Sequence, residues 1–291
     1  MIFKILNFEN IEFDLAKLDL IYAGTPMAVP ADRALSEVVL QYSIPKALLE
    51  ALLEGFKWDK QGRQYESIEA LYDYAARVAG SVGAMMCLIM GVKNERALAR
   101  ACELGLAMQL TNIARDVGDD ARNGRLYLPR TWLKEEGVDP DAWLLKPSFT
   151  PAIARVVNRL LKNADELYAR SQIGIGQLPR DCRAAIFAAR LVYAQIGREI
   201  ERHHLDSVSR RAVVSGMRKK ILMIRSLGAF IYSKGDDRDL VPIRAIQYLV
   251  DASPKEISHK KYTSSFEQRM ICIIHILEKA ELHRMQSHLQ Q

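Results

Sequence analysis

The chain has 291 residues and no apolar run that could span a bilayer. Its longest candidate, Ala84 to Val92, falls far short of the roughly eighteen residues a membrane helix needs. Cysteine is scarce. Cys87, Cys102, Cys182 and Cys272 are scattered without a CxxC pair, which argues against a disulfide frame or cysteine-held metal and fits a reducing, cytoplasmic setting. The opening Met1-Ile-Phe-Lys-Ile-Leu lacks the basic region, apolar stretch and small-residue cleavage site of a secretory signal. No segment alternates apolar and polar residues between turn signals, so a sheet-based fold is not expected. The net charge is +6, yet no zinc finger, RNA-binding signature or helix-turn-helix pattern accompanies it, and nucleic acid is not expected as a partner. Arg210-Arg211 and Arg218-Lys219-Lys220 fall in a helical pattern that reads as a solvated basic face or as one attracting diphosphate or anionic lipid.

What is present is helix. Hydrophobic residues make up 49% of the chain, enough for a large core, and the mean hydropathy of −0.08 suits a soluble protein. Helical periodicity covers 30–55, with a break near Ser43-Ile-Pro45, then 68–92, then 94–117. Further helices are expected at about 151–172, 181–203, 209–229, 240–251 and 264–287. Asp119 to Pro129, Pro140 to Pro151 and Ser233 to Asp239 read as connectors. The expectation is an all-α bundle, with a divergent segment at 1–29 and one helical domain over 30–291.

The most informative stretch is Gln109-Leu-Thr-Asn-Ile-Ala-Arg-Asp-Val-Gly-Asp-Asp120, followed by Gly124-Arg-Leu-Tyr-Leu-Pro129. Asn112, Asp116 and Asp120 stand at i, i+4 and i+8, so on a helix their oxygens project within roughly 80° of one another. Gln109 lies one turn earlier and Arg115 at the stripe's edge. Oxygen donors of this kind suit Mg²⁺ (Mn²⁺ is the other candidate), and nearby arginines complement phosphate. A polar stripe is ordinarily a solvated face. This one lies among Leu104, Leu106, Met108, Leu110 and Ile113, with Arg115, Arg122 and Arg125 within a loop's reach.

Val78-Ala-Gly-Ser-Val-Gly-Ala84 gathers small residues inside a helical pattern. Each helical glycine costs about 1 kcal/mol relative to alanine. Close helix packing would offset that cost, and so would room for a long ligand lying against the helix. The two readings are compatible.

The Gln109-to-Asp120 and Gly124-to-Pro129 segments resemble the second aspartate-rich motif of the squalene/phytoene synthase family. Tyr74-Ala-Ala-Arg-Val-Ala-Gly-Ser-Val-Gly83 is similar to the family's other signature. Tyr193-Ala-Gln-Ile-Gly-Arg-Glu-Ile and Asp206-Ser-Val-Ser-Arg-Arg-Ala-Val-Val-Ser215 look most like its bacterial phytoene synthase branch. The resemblance implies a helical isoprenoid synthase fold around an apolar cavity. It also implies Mg²⁺-assisted head-to-head joining of two geranylgeranyl diphosphates to phytoene through prephytoene diphosphate, without NADPH. Carried over by position, Asn112, Asp116 and Asp120 would meet the metal, and Gln109, Arg115 and Arg125 the diphosphate, with Tyr127 on the same wall. Tyr74, Val78, Ala79, Gly80 and Gly83 would face the reacting chains. At Arg77 many relatives carry an aromatic residue or histidine.

A first aspartate-rich motif, implied for an earlier helix, is not found. Glu12, Asp14 and Asp19 form no paired motif, and Asp236-Asp237-Arg-Asp239 reads as a solvated loop. Three expectations follow: a fragment of a longer synthase, a shortened homologue serving as a scaffold or isoprenoid-binding protein, or an enzyme active without that motif.

Overall fold

The computed structural model describes residues 11–232 and 240–254. Among these residues the chain is helical, with no strand. Twelve α-helices are assigned there. They are α1 (Ile11–Tyr22), α2 (Pro30–Tyr42), α3 (Lys46–Lys60), α4 (Ile68–Ala75), α5 (Ser81–Ile89) and α6 (Glu95–Arg122), then α7 (Arg130–Glu135), α8 (Pro140–Leu145), α9 (Pro151–Ile175), α10 (Arg180–Arg202), α11 (Gly216–Tyr232) and α12 (Gln247–Ala252). A π-helical turn, Ala76–Gly80, joins α4 to α5.

The centre is the pairing of α6 with α9, against which α5 and α10 pack. In α9 the apolar residues Ile153, Val156, Val157, Leu160, Leu161, Ala164 and Leu167 are all buried, the stripe expected of a half-solvated helix. Each buried leucine there contributes about 2 kcal/mol of transfer free energy. α5 and α6 run antiparallel and nearly touch. A Cβ on Gly83 would lie 2.3 Å from the Ala101 carbonyl oxygen, and one on Gly105 would lie 2.3 Å from that of Ala79. Only glycine permits that approach, so close packing accounts for Gly83. Gly80 also faces packed side chains, Leu106 and Leu249.

Several boundaries differ from the sequence expectation. α6 continues past Val117 to Arg122, because Gly118 does not break it. It stops at Asn123-Gly124, where Gly124 has φ 71° and the Arg125 amide donates to the Asp120 carbonyl at 2.9 Å, a Schellman-type close. α3 continues past Gly55 to Lys60. Residues 209–215 are not helical. Asp206 Oδ1 accepts from the amides of Val208 and Ser209, and the chain then runs extended with Ala212 and Val214 buried and Val213 exposed. α11 begins only at Gly216, after Ser215, whose hydroxyl accepts from the Arg218 amide. The expected connectors at 119–129 and 140–151 give up residues to α6 and α8, the latter capped by Asp139. α1, in the segment expected to diverge, packs on α2 and α3 through buried Leu18 and Ile21, so it joins the same body. The expected helix at 264–287 and the acidic cluster Asp236 to Asp239 lie outside the described residues.

Candidate active site

Two cavities meet on the face shared by α3, the π turn and α6. The first has a volume of about 360 Å³ and is overwhelmingly apolar, running along α5 and α6. The second, of about 240 Å³, is polar, and its wall includes Asp59, Gln109, Asn112, Asp116, Asp120 and Arg125. Val78, Gln109 and Asn112 belong to both walls. The junction lies where the face of α6 changes from apolar to polar.

The α6 stripe expected from sequence is therefore assembled on one pocket. Tyr74 and Tyr127 line it as well, while Ala79 and Gly83 line the apolar cavity with Val78. Two expected residues lie elsewhere. Gly80 is buried against Leu106 and Leu249, because the π turn rotates it toward α6 and α12. Arg115 does not line the polar pocket; it folds back onto Asp116, with Nε donating to Oδ1 at 2.8 Å.

Asp59 is the residue the sequence concealed. It sits in the last turn of α3 and enters the pocket from the wall opposite α6. The Tyr127 hydroxyl donates to its Oδ1 at 2.7 Å and the Tyr74 hydroxyl to its Oδ2 at 2.9 Å. Burial pushes the Asp59 carboxyl upward, against the two phenolic hydrogen bonds and the charge of Arg125. Tyr65, Tyr74 and Tyr127 cluster with ring centroids 5.2 to 6.1 Å apart, a geometry of favourable aromatic contact. Burial and the neighbouring Asp59 push all three phenols well above the ordinary tyrosine range, so they stay protonated. The only sequence signal at Asp59 is an acid at a helix C-terminus, where negative charge is disfavoured.

Arg211 was expected on a helix. Instead the extended 209–215 segment carries it over the end of α6, where Nε donates to Asp116 Oδ1 at 2.7 Å and lies 3.7 Å from Asp119. The segment is anchored by the Gly118 amide, which donates to the Ser207 carbonyl at 3.0 Å. Burial raises the Asp116 carboxyl, but hydrogen bonds from Arg115 and Arg211 outweigh it and hold the group below its usual range. Asp120 goes the other way. Burial and the charge of Asp116 push it up to about 7. Arg77 points away from the pocket, against Trp58 at 4.1 Å and Glu54 at 2.7 Å, and braces α3 to the π turn.

Asp59, Gln109, Asn112, Asp116 and Asp120 offer oxygen donors around the polar pocket, and the burial that raises Asp120, with the charge of Asp116 second, is a cost that a bound hard cation would relieve. The set thus fits Mg²⁺ held by a few protein oxygens, with water and substrate completing the shell. Among the described residues, no group of three or more His, Cys, Asp or Glu side chains is placed to hold a metal ion by itself.

The all-helical bundle thus sets an acid-rich pocket beside an apolar cavity, an arrangement suited to a ligand with a polar head and an apolar tail. Its fold matches the crystal structure of a dehydrosqualene synthase with a TM-score of 0.67 and 28% identity, over 77% of this chain and 78% of that one. The family model for squalene/phytoene synthase matches residues 10–218, and the chain belongs to that family. It is 54% identical over 205 residues to a phytoene synthase of Cereibacter sphaeroides, covering 70% of this chain and 58% of that protein. It is 52% identical over 210 residues to a phytoene synthase of Rhodobacter capsulatus, covering 72% and 62%. The matched part thus spans about three-fifths of these relatives' length. No helix among the described residues is long and apolar enough to cross a membrane.

Proposed function

We propose that the chain is a phytoene synthase-type prenyltransferase. It would bind geranylgeranyl diphosphate, with the diphosphate in the polar pocket and the tail in the apolar cavity, and join two such molecules head to head. The observation that carries this reading is the wall shared by Val78, Gln109 and Asn112, which sets the polar pocket directly beside the apolar cavity. The identities of about half to the two phytoene synthases support the choice of reaction.

In this reading Asn112, Asp116 and Asp120 would hold Mg²⁺, which supplies charge neutralisation for the departing diphosphate. Arg125 and Gln109 bind diphosphate oxygens. Arg115 and Arg211 both donate to Asp116 and would turn toward a bound phosphate. Breaking the allylic carbon–oxygen bond sends its electron pair to the diphosphate and leaves a cation. That cation needs a dry cavity and a π face. Val78, Ala79 and Gly83 exclude water, and the Tyr74 ring supplies the face. Asp59 fixes that ring by its hydroxyl and keeps the phenol protonated.

The test is incubation with geranylgeranyl diphosphate and Mg²⁺ in the absence of NADPH. The expected outcome is phytoene, with two diphosphates released per product. Neither product nor diphosphate would overturn the enzymatic reading. Tight Mg²⁺-dependent binding without turnover would instead identify an isoprenoid-binding member of the family.

A long apolar substrate also favours contact with a lipid surface. α11 supports peripheral docking on anionic membrane, since Met217, Ile221 and Ile224 are exposed beside Lys219 and Lys220. Loss of liposome binding on reversing those two lysine charges would test it.

A further inference from the structure

The wall of the apolar cavity is graded along its length. On α6 it is formed by Ala97, Ala101, Leu104 and Met108, recurring at intervals of three and four residues before Gln109 and Asn112. On the facing side Val78, Val82, Met86 and Met90 recur every fourth residue. The close approaches of Gly83 to Ala101 and of Gly105 to Ala79 set the antiparallel register. Met90 and Ala97 therefore lie together at the end farthest from the polar pocket. That end is firmly built. Arg100, part of the cavity wall, donates to the Leu240 carbonyl at 3.1 Å and lies 3.0 Å from Glu103. Glu103 is completely buried and also receives Arg170 at 2.7 Å, which in turn donates to the Val241 carbonyl. Gly174 lets the Arg100 stem press against α9, since a Cβ there would sit 2.3 Å from that of Arg100.

From Ala97 to Asn112, fifteen residue steps advance about 22 Å along α6. The sixteen main-chain carbons of a four-isoprene tail extend to roughly 19 Å end to end, at about 1.25 Å of zigzag advance per bond. We propose that Met90, with Met86 one turn nearer the polar pocket, gauges tail length: the cavity accepts a tail of up to four isoprene units and rejects a fifth. The proposal rests on the prenyl diphosphate reading above and adds the residues that set its upper limit. Methionine suits the position, because its unbranched side chain moulds to an end methyl group, and Met90 is itself buried.

The test is Mg²⁺-dependent binding of thiolo-diphosphate analogues with three, four and five isoprene units, measured by calorimetry. The native chain should bind the three- and four-unit analogues and discriminate against the five-unit one by about tenfold or more. Met90→Phe should weaken the four-unit analogue by a similar factor and leave the three-unit analogue unchanged. Met86→Phe should extend the loss to the three-unit analogue, and Met90→Ala should recover the five-unit one. Unchanged circular dichroism and melting temperature would confirm that each variant folds, and Met90→Ala keeps the test decisive if a phenylalanine variant does not. Parallel loss for all tail lengths, or no change in their ratio, would overturn the gauge while leaving the diphosphate reading standing. Failure of the native chain to bind any of the three would overturn both.

Discussion

The two halves of α6 share an axis and a face yet present opposite chemistry. From Ala97 to Met108 that face carries small and apolar side chains against an apolar cavity. From Gln109 to Asp120 it carries an amide, an asparagine and two aspartates against a polar pocket. The change occurs within one turn. A single continuous helix thereby fixes the direction in which an amphiphile must lie, without a hinge or a second domain. The halves also differ in what holds them. The apolar half is set by backbone-to-backbone approach at Gly83 and Gly105, and the polar half by charge, with Arg115 and Arg211 on Asp116.

Breaking the polar half should produce the largest effect. Asp116→Ala is expected to abolish Mg²⁺-dependent diphosphate binding and lower turnover by roughly 10²-fold or more, as for loss of a preorganised charge-stabilising group. Prenyl alcohol binding should persist, which calorimetry with geranylgeraniol would check. Breaking the apolar half should act on stability instead. Gly105→Ala places a methyl group 2.3 Å from the Ala79 carbonyl oxygen, so the π turn and α6 must separate. A loss of about 1–3 kcal/mol in urea unfolding is expected. If Gly105→Ala spared stability and Asp116→Ala unfolded the chain, the contrast between the halves would be wrong.

Asp59→Asn sharpens the comparison from the opposite wall. The amide cannot accept from both phenols as a carboxylate does, and the expected result is a drop in kcat of about tenfold with little change in KM. The corresponding stability loss is about 1–2 kcal/mol. The smallest effect concerns pH. Asp120 titrates near 7 in the folded chain against about 3.9 unfolded, so between these values the folded state holds the extra proton. In metal-free buffer, stability should therefore fall as pH rises from 4 to 7 and then level off. Asp120→Asn should flatten that slope in thermal melts taken across the range.

How much was legible in the sequence depends on whether a residue's role was periodic. The α6 stripe was readable because i, i+4 and i+8 put three oxygens on one face before any packing is known. The helical fold was readable for the same reason; the Val78–Gly83 segment stood out only by its small residues, and Gly80 within it packs against Leu106 and Leu249 instead of lining the cavity. Asp59 was not, because its partners Tyr74 and Tyr127 are 15 and 68 residues away, and only the folding of α3 against the π turn unites them. Arg211 was misplaced because helical propensity was extended through 209–215, where an Asp206 turn and alternate burial override it. Helical periodicity was read only as far as Val117, yet α6 runs on through Gly118 to Arg122, since a glycine inside a long packed helix costs only about 1 kcal/mol.

The position of the acids within α6 has a further consequence. Asp116, Asp119 and Asp120 occupy the last two turns of a 28-residue helix, where the aligned peptide dipoles already leave about half a negative charge. Negative side chains are disfavoured there by the same interaction that makes a helix N-terminus welcome anions. Electrostatic tension is thus stored at one spot, eased in part by Arg211 from a neighbouring segment. A bound cation would release it, so ligand affinity and fold stability draw on the same few ångströms of α6.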